Sequence, residues 1–233
     1  MSAEEHSVRI EPHARTLRVP AGQPVLEAAL AAGAYVAIPG REQADKIAAR
    51  DRLLVLGGVD LADFSAAKQA FDTVATRFGR IDALANVAGG FRWQTLGDGD
   101  LAGWTEQFRM NLLTAATATK AALPYLRASQ GAIVNVASAP AKQAGAGMGA
   151  YAASKAGVLR LTESLAEEEK NAGVRVNAVL PTIIDTPRNR ADMPKADFSR
   201  WVKPEEIAKA ILFLLSSDAT AITGAELLIA GRT

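Results

Sequence analysis

Short apolar runs that do not alternate with polar residues recur along this chain, and a helical segment separates most of them from the next. The runs are Tyr35 to Ile38, Leu53 to Leu56, Ile81 to Ala85, Ala132 to Val136, Val174 to Val179 and Leu227 to Ile229. Among the helical segments are Ser65 to Phe78, with Phe71, Val74 and Phe78 on one face, and a long stretch from Leu101 to Arg127, interrupted near Met110-Asn111. Residues 150–170 follow, then 205–215, which Pro204 opens from a first helical turn. A strand apolar on both sides must be covered on both faces, so this alternation predicts an α/β fold with a doubly wound parallel sheet. Ligands of such sheets bind outside the carboxyl ends of the strands. The loops after residues 38, 56, 85, 136 and 179 are therefore expected to meet at one crevice.

The leading portion is less regular. Residues 16–19 are β-prone, Pro20-Ala21-Gly22-Gln23-Pro24 breaks the run, and residues 25–32 read as an Ala-rich helix ended by Gly33. Residues 42–49 read as a short amphipathic helix. No repeat or linker divides the chain, which predicts a single domain over 1–233.

Composition removes several classes of function. Lys and Arg total 26 against 25 Asp and Glu, so no strong charge points to nucleic acid or an anionic membrane. The absence of cysteine excludes disulfides, thiolate metal sites and a Cys nucleophile, and is compatible with a reducing cytoplasm. The histidines are His6 and His13, both in a polar leader, so no His-based triad or metal site is expected. That leader, Met1 to Glu11, lacks the apolar core of a signal peptide, and no apolar run reaches membrane-spanning length.

The chemistry centres on Tyr151-Ala152-Ala153-Ser154-Lys155. On a helix the phenol and the amine project from one face, one turn apart. A phenol ionises near pH ~10, and an ammonium beside it lowers that value, giving a candidate acid and base. Three loop features converge on this pair in the expected topology. Ser138 follows the strand ending at Val136, Asn111 interrupts the long helix, and Asn86-Val87-Ala88-Gly89 offers small residues where backbone can approach a flat ligand.

These residues, together with Val174-Arg175-Val176-Asn177-Ala178-Val179 leading to Pro181, Pro204-Glu205-Glu206-Ile207-Ala208 and Thr223-Gly224, resemble the short-chain dehydrogenase/reductase family. The likeness covers 57–231, and 1–56 diverges. It implies a Rossmann-like fold and hydride transfer between NADP(H) or NAD(H) and a small-molecule carbonyl or alcohol. It further implies Tyr151 as general acid and base, with Lys155 lowering the phenol pKa and binding the nicotinamide ribose. Ser138 would hold the substrate oxygen, and Asn111 would anchor a water linking Lys155 to solvent. Asp60 and Leu61, in Gly57-Gly58-Val59-Asp60-Leu61, match the adenine contact, and Asn86, Ala88, Gly89, Pro181, Ile184 and Thr186 match further cofactor positions. A homodimer or homotetramer is implied as well. Trp93, Trp104, Phe198 and Trp201 either line a pocket or pack in the core. Phe91 and Met148 are better placed beside Tyr151.

The resemblance fails at the opening strand. The family's Thr-Gly-x-x-x-Gly-x-Gly, whose backbone N–H groups face the pyrophosphate, is absent. Two prolines stand where donors are wanted, and Gly22 is the one glycine available. Residues 8–41 also look similar to the opening of a plant-type [2Fe–2S] ferredoxin, without the cysteines that hold a cluster. After the second strand, Arg41 and the lack of a carboxylate favour NADP(H) over NAD(H). Two expectations follow: an active oxidoreductase, or a scaffold of the same fold with impaired dinucleotide binding.

Overall fold

The computed structural model describes residues 6–10, 15–19, 34–39 and 53–233. The predicted helices over 25–32 and 42–49, and the candidate residues Gly22 and Arg41, lie outside the described residues.

Strands β5 (Ala83–Asn86), β6 (Ala132–Val136), β7 (Arg175–Pro181) and β8 (Glu226–Ile229) form a parallel sheet in that order. A second parallel pair joins β3 (Val36–Pro39) to β4 (Leu53–Leu56). Helix α1 (Phe64–Phe78) begins at Asp63, whose carboxylate accepts the Ala66 N–H at 2.8 Å. It ends at Gly79, whose φ of 83° suits a residue without a side chain. Its buried face, Ala67, Phe71 and Val74, packs with Leu126 of α3 (Thr114–Ser129) and Ile133 of β6. Ala37, Leu54, Leu56 and Leu84 lie against the same cluster, so β3, β4 and β5 share one covering layer.

The other face of the sheet is covered by α6 (Pro204–Leu215), whose Ile207, Ile211 and Leu214 pack on Val134 and Val179. Adjacent residues Ile133 and Val134 thus enter cores on opposite faces, which explains why β6 reads as a continuous apolar run. The predicted strands and helices after residue 53 stand within one to two residues of the sequence reading. The long loop before Pro204 is more structured than expected. It holds α5 (Pro187–Asp192), a 3₁₀ turn at Phe198–Arg200 and a bridge between Ile184 and Val202.

A buried polar chain ties the layers together. Asn86 Nδ2 donates to Thr119 Oγ1 at 2.9 Å and to Asn135 Oδ1 at 2.8 Å. Asn135 Nδ2 donates to Thr162 Oγ1 at 2.9 Å, and that hydroxyl donates to the Val158 carbonyl.

The opening strand departs from expectation. Residues 16–19 belong to β2 (Arg15–Val19), which pairs antiparallel with β1 (His6–Ile10), and not to the parallel sheet. The reason is legible in the pattern: Thr16-Leu17-Arg18-Val19 alternates polar and apolar residues, as an antiparallel ribbon with one wet face does. Among the described residues, no strand pairs with the outer edge of β5. There Ala83 is exposed and Leu84 and Ala85 are half-buried, whereas Ala132 to Asn135 of β6 are all buried.

Candidate active site

The long helical segment is broken where the sequence suggested. After α2 (Leu101–Gln107) the backbone runs through a π-helical turn, Phe108–Leu113, before α3. Such turns insert an extra residue and re-aim side chains, frequently at functional sites. Here Asn111, 1 % exposed, is turned inward. Its Oδ1 accepts the Gly90 N–H at 3.0 Å, and its Nδ2 donates to the Gly90 carbonyl at 3.1 Å and to Ser154 Oγ at 3.0 Å. The amide therefore clamps the loop after β5 onto helix α4 (Gly149–Glu169).

Tyr151 and Lys155 stand on the first turns of α4, and Ser138 follows β6. The Ser138 hydroxyl stands close enough to the Tyr151 phenol to favour its ionised form. Ser138 Oγ also lies 3.4 Å from the Pro181 carbonyl at the end of β7. Lys155, 5 % exposed, donates to the Val136 carbonyl at 2.7 Å. A Cβ placed on Gly89 would lie 2.6 Å from Asn111 Oδ1 and 3.2 Å from Lys155 Nζ, so only glycine fits there. Loops after β5, β6 and β7 thus meet at the carboxyl ends of their strands, as the topology required.

Burial pushes the Tyr151 phenol above its ordinary value, with the Ser138 hydroxyl pulling the other way. Burial also pushes the Lys155 ammonium down to about 8. Each group is removed from water, and the bond from Lys155 Nζ goes to a backbone carbonyl.

Other predicted cofactor residues are engaged within the protein. Asp60 Oδ1 accepts the Ala62 N–H at 3.1 Å and Oδ2 accepts from Arg109 at 2.5 Å. Leu61 is partly buried against the α1 core. The Asn86 side chain belongs to the buried polar chain and its carboxamide nitrogen points to Thr119 and Asn135. Ala88 and Gly89 are exposed at the crevice. Thr186 caps α5 by accepting the Asn189 N–H at 3.2 Å, and the Ile184 carbonyl accepts from Asn189 Nδ2 at 2.8 Å. Among the aromatic candidates, Trp201 is buried with its ring 4.7 Å from Phe198. Phe91 meets the Tyr151 ring edge to face at 4.9 Å.

Over residues 22–231 the sequence matches the family described as enoyl-(acyl carrier protein) reductase. The chain belongs to the short-chain dehydrogenase/reductase family. Similar members include a 3-oxoacyl-(acyl-carrier-protein) reductase of Thermotoga maritima, 35% identical over 175 residues, 71% of this chain and 71% of that protein. A D-threitol dehydrogenase of Mycolicibacterium smegmatis is 38% identical over 182 residues, 74% of this chain and 70% of its own length. A solved carveol dehydrogenase from Mycobacterium avium in complex with NAD superposes with a TM-score of 0.71 at 29% identity, over 78% of this chain and 75% of its own.

Two features of this short-chain dehydrogenase/reductase site escaped sequence reasoning. Ser154 is the bridge between Asn111 and the Tyr151 carbonyl, to which it donates at 2.7 Å. It stands inside the Tyr151–Lys155 stretch, and its position on the same turn was the available signal. The Val136 carbonyl as Lys155's partner had none, because backbone acceptors are not encoded by residue type.

Proposed function

We propose that this chain is an NAD(P)-dependent oxidoreductase that interconverts a carbonyl and a secondary alcohol, with Tyr151 as the acid and base. The observation that carries the reading is the placing of Ser138 beside Tyr151, one helical turn from the buried Lys155, at the carboxyl ends of β6 and β7. The relatives named above, a 3-oxoacyl-(acyl-carrier-protein) reductase and dehydrogenases of D-threitol and carveol, support the same class.

A nicotinamide dinucleotide, when bound, supplies the hydride. The residues that fit its nicotinamide half are Gly89, exposed at the crevice, and Lys155, whose ammonium has donors beyond the one given to Val136. At the expected adenine position the Asp60 carboxylate is held by the Ala62 N–H and by Arg109. Tyr151 and Ser138 together face a substrate oxygen: the serine hydroxyl shares developing charge, and the phenol exchanges a proton with that oxygen. A phenol pushed above its ordinary value holds its proton at neutral pH. Lys155 sits one turn away on the same helix, held by the Val136 carbonyl.

A second reading, a scaffold of this fold with weak dinucleotide binding, is favoured by the antiparallel pairing of β2 and the missing glycine motif. Loss of two charge-assisted hydrogen bonds to a pyrophosphate weakens binding by a factor of hundreds or more, at about 1.5–3 kcal/mol each. Titration of NADPH and NADH, read by a melting shift, separates the two readings and measures the preference for NADP(H). Binding below millimolar, with turnover lost in Tyr151→Phe while binding persists, supports the enzyme. No response at millimolar concentrations of either supports the scaffold.

A further inference from the structure

The loops on either side of Tyr151 are fastened to each other. The Gln94 N–H donates to the Gly147 carbonyl at 2.9 Å, and the Trp93 indole N–H donates to the Ala146 carbonyl at 3.0 Å. Gly147 has a φ of 72°, and a side chain there would run into the Trp93 ring. This fastening holds the segment that begins at Phe91 beside the catalytic helix. The Phe91 ring stands 81° to that of Tyr151 and remains 45% exposed, so one edge rests on the phenol while the rest of the ring is open. On the Ser138 side, the chain continues through a single turn, Ala139–Ala141, of alanines and a proline.

The charge on this wall is already spoken for. Within residues 86–95 and 137–150, the charged side chains are Arg92 and Lys142. Arg92 faces Glu106 at 3.4 Å, and Lys142 pairs with Glu226. On these two segments Phe91 is the large apolar side chain that is both exposed and in contact with the Tyr151 ring.

Resting on the oxidoreductase reading, we infer that the substrate is a ring-bearing ketone or secondary alcohol, aryl or alicyclic, and that Phe91 is a specificity-determining residue for it. An aromatic face offers dispersion and edge-to-face contact to a ring. It offers nothing to replace the water lost by the hydroxyls of a polyol or by the carboxylate of a keto acid. With the carbonyl oxygen held by Ser138 and Tyr151, the ring attached to the carbonyl carbon falls on the Phe91 side. In the reductive direction the carbonyl carbon gains a hydride from the reduced nicotinamide, and its oxygen gains the proton of Tyr151. The products are the alcohol, the oxidised nicotinamide and the Tyr151 phenolate, which takes a proton back from solvent.

The test is calorimetric titration of acetophenone and cyclohexanone against the full chain, alone and with NADPH at millimolar concentration. Erythritol and pyruvate serve as comparison probes. The expected result is binding of the two ring ketones, weakened on the order of tenfold by Phe91→Ala and restored by Phe91→Tyr, with erythritol and pyruvate bound more weakly. Absence of ring-ketone binding in both conditions, binding indifferent to Phe91→Ala, or equal binding of erythritol or pyruvate overturns the inference. Ring ketones that bind in the Phe91-dependent way but are not turned over with either cofactor leave the ligand class standing and sink the oxidoreductase reading instead.

Discussion

Replacing Lys155 with methionine removes an ammonium that is 5 % exposed and keeps a side chain of similar length. In the folded protein the ammonium's pKa is pushed from 10.5 down to about 8, by burial. Between those values the unfolded chain holds a proton that the folded chain has lost, so wild-type stability rises with pH across that window. Below pH 8 both states are protonated, and the cost of burying the charge is present in full. At 1.36 kcal/mol per unit it is about 3 kcal/mol. Loss of the bond to the Val136 carbonyl opposes the gain by about 1 kcal/mol, equally at every pH. Urea denaturation of both proteins at pH 7 and pH 10 isolates the linkage, because other titrations cancel in the difference. The stability of the variant relative to wild type should fall by about 2–3 kcal/mol between the two pH values. A relative stability unchanged across that range would refute the claim that the lysine is held charged at a cost.

Two further outcomes follow from buried polar contacts. Asn135→Leu takes an acceptor from Asn86 Nδ2 and a donor from Thr162 in a fully buried chain, and should lower stability by about 2–3 kcal/mol in denaturant melts. Arg127→Met removes the paired donors, at 2.7 and 2.5 Å, that hold the 2 % exposed Glu169 carboxylate below its ordinary 4.5. Glu169's contribution is present above pH 4.5 and is lost as pH falls through its lowered value. The variant should therefore melt below wild type at neutral pH, and the gap should close in acid.

The sequence by itself determined the order of strands and helices after residue 53. Continuous apolar runs can be satisfied only by covering both faces, as Ile133 and Val134 show by entering opposite cores. It also determined which residues meet: Ser138, Tyr151 and Lys155 follow from strand ends and helical spacing, and the break at Asn111 was readable as a polar residue inside an apolar helix. Tertiary structure decided the rest. The pairing partner of β2 depends on which edge is available, which residue type does not state. The pKa directions of Tyr151 and Lys155 depend on how much water packing excludes and on whether the ammonium turns towards the phenol or towards the Val136 carbonyl. Asp60 could be recognised by its position, but its Arg109 partner lies on a different element, 49 residues on, and only folding brings that charge within reach.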